Sequence, residues 1–290
     1  MSNPSEHENV TPNSLREWPL PEAGDSKYGR GQVIVVGGAP RSPGAAMLSG
    51  LAALRVGAGR LTIAVATSVA TAVAVGVPEC GVVPLRETTD GHVDGTGVDA
   101  AERDLSGADA VLVGPGLDDP GEQERMLSAL IPLIGSDSTV ILDAFALGVL
   151  PKVPEFVEAF GGRLVLTPNK EEAARLLERD VEDLVEDIAE ISRRYRAVVT
   201  CYDVIAHPDG RIWRTGTGGG GLATSGSGDV LAGAITGLCA RGASPEQAAV
   251  WATHAHAAAG DRLAVHVGPL GFLASELLDE LPRVLVEIGA

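Results

Sequence analysis

From Gly218 to Asp229 the chain reads Gly-Gly-Gly-Gly-Leu-Ala-Thr-Ser-Gly-Ser-Gly-Asp, and an apolar helical stretch runs on to Arg241 before Gly242 closes it. A glycine-rich loop feeding a helix start aims backbone N–H groups, backed by the helix dipole, at one point in space. That is an anion trap. A carboxylate at its mouth repels what the amides attract, so the arrangement makes chemical sense if Asp229 handles a proton while the loop amides hold a phosphoryl group. A Gly/Ser run can also be a linker, and an Asp here can cap the helix. The run lies between a short alternating segment and an apolar helix, which does not suit a linker, and a capping role is compatible with catalysis.

Other residue types with chemical potential collect where strands are expected to end. These are Gly37-Gly38-Ala39-Pro40, Gly114-Pro115-Gly116, Asp143, Thr167-Pro168-Asn169 and Thr200-Cys201-Tyr202-Asp203. In open α/β sheets ligands bind beyond the carboxyl ends of the strands, so all five should open on one edge with the 218–229 loop as floor. Asn169 and Glu172 stand three apart at a helix entrance and share a side. They suit either a hydrated Mg²⁺, which takes oxygen ligands and keeps waters, or an Asn cap followed by an acidic turn. His254 and His256, two apart on a helix, point different ways and make no joint metal site. Gly37-Gly38 lacks the G-x-G-x-x-G of dinucleotide folds.

The elements that must position these residues alternate in type. Gln32–Val36 is a continuous β-branched run, as expected of a strand buried on both faces; residues 45–56 form a helix and 61–66 the next strand. Strands follow at 110–113, 139–142, 163–166 and 197–200, with helices at 121–134, 154–160, 170–178 and 181–195. A hairpin turns at Pro208-Asp209-Gly210. Ser244-Pro245-Glu246-Gln247 reads as N-cap, helix-starting proline and capping-box partner for a long alanine-rich helix, and 272–287 is helical. This alternation implies one three-layer α/β/α domain over 28–290 with a mostly parallel central sheet, preceded by a mobile tail at 1–27.

Composition sets the remaining bounds. The chain has 290 residues, 45% of them hydrophobic and 3% aromatic, and a formal charge of −17. That charge argues against nucleic acid and anionic membranes as partners, but a local amide nest still suits a phosphorylated small molecule. Cys80, Cys201 and Cys239 fit no metal pattern, and no long uncharged apolar run or signal peptide is evident. A soluble cytoplasmic protein is expected.

Several stretches in order resemble the ADP-dependent NAD(P)H-hydrate dehydratases of the ribokinase-like superfamily. They are residues 28–38, 43–59, 113–117, 166–177, 221–235 (GLATSGSGDVLAGAI) and 271–282. The resemblance implies an enzyme that repairs NADH or NADPH hydrate (NADHX, NADPHX), with ADP or ATP as cosubstrate and Mg²⁺, releasing AMP and phosphate when ADP is used. It implies Asp229 as the base that deprotonates the ring hydroxyl, with Gly226, Ser227 and Gly228 as the anion hole. Hydrate contacts map onto Ala45, Gly116, Asn169 and Asp229, and nucleotide contacts onto Thr200, Cys201, Tyr202, Asp203, Val204 and Gly228. A homotetramer is also implied.

Three segments depart from the family pattern. T-P-H-P-G-E is replaced by Thr167-Pro168-Asn169-Lys170-Glu171-Glu172, which restores the N-x-x-E of ribokinase-like kinases. K-G-x-x-T is replaced by Thr200-Cys201-Tyr202-Asp203-Val204, placing an acid where nucleotide phosphates approach. D-A-D-A-L is replaced by Asp143-Ala144-Phe145-Ala146-Leu147. The first favours an alternative, an ATP-dependent kinase of a hydroxymethylpyrimidine or thiazole alcohol. The second motivates a catalytically silent nucleotide sensor, against which retention of Asp229 argues.

Overall fold

The computed structural model describes residues 7–22 and 24–289. In chain order the strands are β1 (Glu8–Val10), β2 (Gln32–Val36), β3 (Arg60–Ala66), β4 (Cys80–Leu85), β5 (Ala110–Val113), β6 (Thr139–Leu142), β7 (Leu164–Leu166), β8 (Ala197–Cys201), β9 (Val204–Ala206) and β10 (Ile212–Thr215). The helices are α1 (Pro12–Glu17), α2 (Pro43–Arg55), α3 (Thr67–Gly76), α4 (Glu102–Ser106), α5 (Pro120–Leu130), α6 (Phe145–Val149), α7 (Pro154–Phe160), α8 (Lys170–Leu177), α9 (Leu184–Tyr195), α10 (Ser227–Ala240), α11 (Pro245–His266) and α12 (Ala274–Ile288).

The strands form a single 10-stranded sheet in the order β1-β10-β9-β8-β7-β6-β5-β2-β3-β4. Only β9 runs against its neighbours, β8 and β10, so the sheet is mostly parallel as expected. Because β2, β5, β6, β7 and β8 are parallel in register, their carboxyl ends all reach one edge. Alternate residues of each strand then feed two cores. Val33, Val35, Leu112, Ile141 and Val198 pack with α2, α10, α11 and α12, while Ile34, Val36, Val111, Leu142 and Val199 pack with α5 to α9. This is a three-layer α/β/α fold.

Glycines let α10 approach α2 closely. A Cβ on Gly233 would lie 2.0 Å from the Ser49 carbonyl oxygen, and one on Gly237 would lie 2.5 Å from that of Ala53. Both contacts ascend in the same direction, so the two helices run parallel. Towards the start of α10 the contact continues where a Cβ on Gly226 would meet Leu48 of α2 at 2.7 Å.

The N-terminal expectation is corrected over part of its span. Residues 1–6 lie outside the described residues, but Glu8–Val10 pairs with β10 and Pro12–Glu17 is a helix capped by Thr11. Gln247 Nε2 donates to the carbonyls of Trp18 and Pro19, Trp251 Nε1 donates to Trp18 O (2.9 Å), and Trp18 stacks on Trp213 with centroids 6.0 Å apart. Gln247 is thus spent on the N-terminal segment and not on the capping box read from the sequence. The Ser244 hydroxyl still accepts from the Gln247 amide. These elements are too short for periodicity to reveal; distant residues hold them in place.

Candidate active site

The loop of residues 216–226 ends at Gly226, whose φ of +90° is a left-handed conformation open to glycine, and α10 begins at Ser227. The amides of Gly226, Gly228 and Asp229 have no intramolecular acceptor among the described residues, whereas the Ser227 N–H donates to Thr224 O at 3.2 Å. The amides open to a ligand are therefore those of Gly226, Gly228 and Asp229, so Asp229 takes the place of Ser227 in the expected Gly226-Ser227-Gly228 set. Ser227 acts in a different way: its hydroxyl and carbonyl both lie 3.0 Å from His256 Nε2. A carbonyl only accepts, so the consistent tautomer carries the proton on Nε2. Burial pushes the His256 imidazolium down to about 4, which leaves the ring neutral. His256 fixes the start of α10 from α11.

Asp229 is half-buried at the first turn of α10. At the start of α2, Ala45 meets the loop after β5: a Cβ on Gly116 would lie 3.1 Å from Ala45 Cβ and 2.2 Å from Ser42 O. The Gly38 and Ala39 amides donate to the Pro115 and Gly116 carbonyls, at 2.8 and 2.9 Å, and lock this corner. Burial, then the charge of Glu172, pushes the Asp229 carboxyl up to about 6. Asp143 at the end of β6 is fully buried, and burial followed by the charge of Asp229 raises it to about 7, opposed by the hydroxyl of Thr167, which donates to its Oδ1 at 2.7 Å. The next residue, Ala144, has a φ of +52°, a strained backbone that turns the chain sharply away from this point.

Asn169 and Glu172 form a reciprocal capping box on α8. Asn169 Oδ1 accepts from the Glu171 and Glu172 amides, both at 2.9 Å, while Glu172 Oε2 accepts from the Asn169 amide at 2.9 Å. Both lone pairs of the Asn169 oxygen are thereby used, so the expected Asn169 contribution to a metal site is corrected to a capping one. Among the described residues no three His, Cys, Asp or Glu side chains gather as a metal site.

A cleft of about 740 Å³ opens at the start of α10, lined by Asn169, Thr200, Tyr202, Asp203, the 216–220 glycines and Gly228, among others. Thr200 Oγ1 lies 3.0 Å from Thr253 Oγ1 in its wall. Tyr202 has a φ of +54° and is 65% exposed, so its ring is available to a ligand. Asp203 is paired with Arg214, whose Nε donates to Oδ2 at 2.9 Å and whose Nη2 reaches the same oxygen. Cys201 and Val204, expected to touch the nucleotide, instead bury their side chains in the core on the other face of the sheet. Strand alternation accounts for this, since Thr200 faces α11 and its successor must face away.

Several participants escaped sequence reading. His256, Thr253 and Arg214 belong to no local pattern, and only the spacing of His254 and His256 showed that the two rings diverge. Asp143 was visible as a strand-end acid, but its proximity to Asp229 was not.

The sequence model of a family described as NAD(P)H-hydrate dehydratase matches residues 33–283. The chain is 40% identical over 283 residues to an ADP-dependent (S)-NAD(P)H-hydrate dehydratase of Xanthomonas campestris, covering 95% of each chain. Bifunctional NAD(P)H-hydrate repair enzymes among its relatives are longer, and the chain spans 52% of the length of one from Moorella thermoacetica. Among solved structures, an ADP/ATP-dependent NAD(P)H-hydrate dehydratase of Bacillus subtilis co-crystallized with ATP/Mg²⁺ superposes with a TM-score of 0.77 at 28% identity, covering 97% of this chain and 99% of that one. A ribokinase-like superfamily protein of Enterococcus faecalis shares the fold, with a TM-score of 0.82 at 22% identity over 97% and 96% of the two chains. No helix among the described residues is long and apolar enough to cross a membrane.

Proposed function

The chain belongs to the NAD(P)H-hydrate dehydratase family, and we propose that it dehydrates NAD(P)H hydrate to NAD(P)H at the expense of an adenine nucleotide. The observation that carries the reading is the place of Asp229. It stands on the first turn of α10, beside the free amides of Gly226 and Gly228 and next to Gly228 in the wall of a cleft large enough for a nucleotide, and close enough to Glu172 and Asp143 for their charges to interact. The hydrated ring would sit at the Ala45–Gly116 corner with its hydroxyl toward Asp229, and the nucleotide in the cleft with its terminal phosphoryl on the amides.

Asp229 takes the hydroxyl proton as the oxygen attacks the terminal phosphoryl of ADP, and AMP leaves. The amides of Gly226, Gly228 and Asp229 meet the charge growing on the phosphoryl oxygens. Electron push from the ring nitrogen then expels phosphate, and loss of a proton from the neighbouring ring carbon forms the double bond that restores the dihydronicotinamide. The fit for Mg²⁺ rests on oxygen chemistry: the Glu172 Oε1, free of the capping box, would hold the ion through water. When bound, the ion supplies charge neutralisation to the phosphates. Thr200, Tyr202, Asp203 and Gly228 contact the nucleotide in this reading. The cytoplasmic setting and the homotetramer belong to the same proposal and are supported by the resemblance.

The kinase alternative loses its sequence support, because the N-x-x-E pattern is accounted for by the α8 capping box. The test is recovery of NADH absorbance from chemically prepared NADH hydrate with ADP or ATP and Mg²⁺. Absence of turnover with both nucleotides, alongside phosphorylation of a hydroxymethylpyrimidine or thiazole alcohol, would overturn the proposal.

A further inference from the structure

The nucleotide-sized cleft is electrostatically uneven. No lysine or arginine lines it among the described residues; its one charged lining group is the carboxylate of Asp203. A carboxylate disfavours polyphosphate at its own end of the cleft, whereas Gly228, also in the lining, belongs to the helix start whose free amides attract it. The neutral parts of the nucleotide are left for the Asp203 end.

Which neutral part meets the acid follows from its neighbours. Tyr202 offers the exposed aromatic face that a base stacks on. Asp203 comes next, and its carbonyl accepts from the Thr215 amide at 2.9 Å, which stitches it to the start of the glycine loop leading toward the phosphate amides. A group between base and phosphates is the sugar. Arg214 takes Oδ2 through both Nε and Nη2, so Oδ1 is left without a partner among the described residues and the carboxylate is held in one orientation. A fixed carboxylate oxygen is a good acceptor for a ribose hydroxyl.

We infer that Asp203, oriented by Arg214, accepts hydrogen bonds from the ribose hydroxyls of the nucleotide and makes the site select ribonucleotides over deoxyribonucleotides. This rests on the nucleotide reading of the cleft given above. Asp203 acts as a specificity residue and Arg214 as the residue that positions it.

The experiment is calorimetric binding of ADP, 2′-deoxyADP, 3′-deoxyADP and inosine diphosphate to the intact protein and to its Asp203→Ala, Asp203→Asn and Arg214→Gln variants. The wild type should prefer ADP over at least one deoxy analogue by about 10- to 100-fold, the usual worth of a hydrogen bond to a charged group. Asp203→Ala should bring that ratio close to one, and Arg214→Gln should reduce it. Asp203→Asn, which keeps an acceptor oxygen and the side-chain shape, should retain part of it. A change in fold would weaken all four ligands together and leave the ratio standing. Equal wild-type affinity for ADP and both deoxy analogues overturns the inference alone. So does a ratio that survives in Asp203→Ala while the preference over inosine diphosphate disappears, because the carboxylate then reads the base. Failure of every nucleotide to bind overturns the nucleotide reading with it.

Discussion

Replacing Glu172 by Gln should move the acid limb of the pH–rate profile to lower pH. Asp229 works as a base only when ionised, so activity rises as pH passes through its value of about 6 and levels above it. Its elevation from the ordinary 3.8 has two causes, burial and the negative charge of Glu172, of which burial is the larger. Less than half of the rise therefore belongs to Glu172, and removing that charge should lower the limb by at most about one pH unit. At pH 5 this raises the ionised fraction of Asp229, and the relative rate, by up to about fivefold; at pH 8 it changes nothing. Gln suits the purpose because its amide oxygen can still accept from the Asn169 N–H and keep the capping box of α8. The assay is AMP release from ADP with NADH hydrate at saturation, from pH 4.5 to 8.5, each enzyme normalised to its own plateau. Normalisation separates the limb from any uniform loss caused by weaker Mg²⁺ binding. A limb that stays put, or moves up, would refute the electrostatic link between Glu172 and the base.

Asp229→Asn should retain nucleotide affinity by calorimetry and lose at least about two orders of magnitude in rate, the usual scale for removing a general base; near-normal turnover would take Asp229 out of the mechanism. Asp143→Asn should be more stable than the wild type at pH 8 and not at pH 4, measured by urea denaturation. In the folded protein Asp143 keeps its proton up to about 7 against an ordinary 3.8, so wild-type stability is full below the lower value and is lost as pH rises through the higher one. The gap corresponds to at most about 4 kcal/mol, and an equal difference between the proteins at both pH values would refute the account.

The parallel sheet was legible because its central strands are buried on both faces, and Gln32–Val36 or Ala110–Val113 must then be continuously apolar. Asp229 and the glycines around it were legible for a similar reason, since an anion-binding helix start leaves its mark in consecutive residues. What stayed hidden depends on partners distant in the chain. β4 is a half-exposed edge strand carrying Pro84, so neither alternation nor continuity marks it. The N-terminal strand and helix acquire meaning only from Trp213, Gln247 and Trp251. Asp203 looked like an obstacle to nucleotide binding because Arg214, eleven residues later, is brought to it by the β9–β10 hairpin. Cys201 and Val204 were carried along by a contiguous motif, although a strand can present only every second residue to one ligand.

An acid in an anion hole looks self-defeating, and the pair of buried carboxylates shows why it is not. Asp143 and Asp229 stand close enough that the charge of one raises the other, and they cannot easily ionise together. Burial raises both, to about 7 for Asp143 and about 6 for Asp229, which brings the pair into the range of neutral pH. In the proposed reaction Asp229 would become neutral on taking the proton of the ring hydroxyl, and its repulsion would vanish as negative charge builds on the phosphoryl oxygens. The same three amides would then serve the transferring group. A base with an ordinary carboxylate value would be too weak for this exchange, and one held protonated at neutral pH would have no proton to accept. Burial, the larger cause of the rise, and the charge of Glu172 set the balance between them.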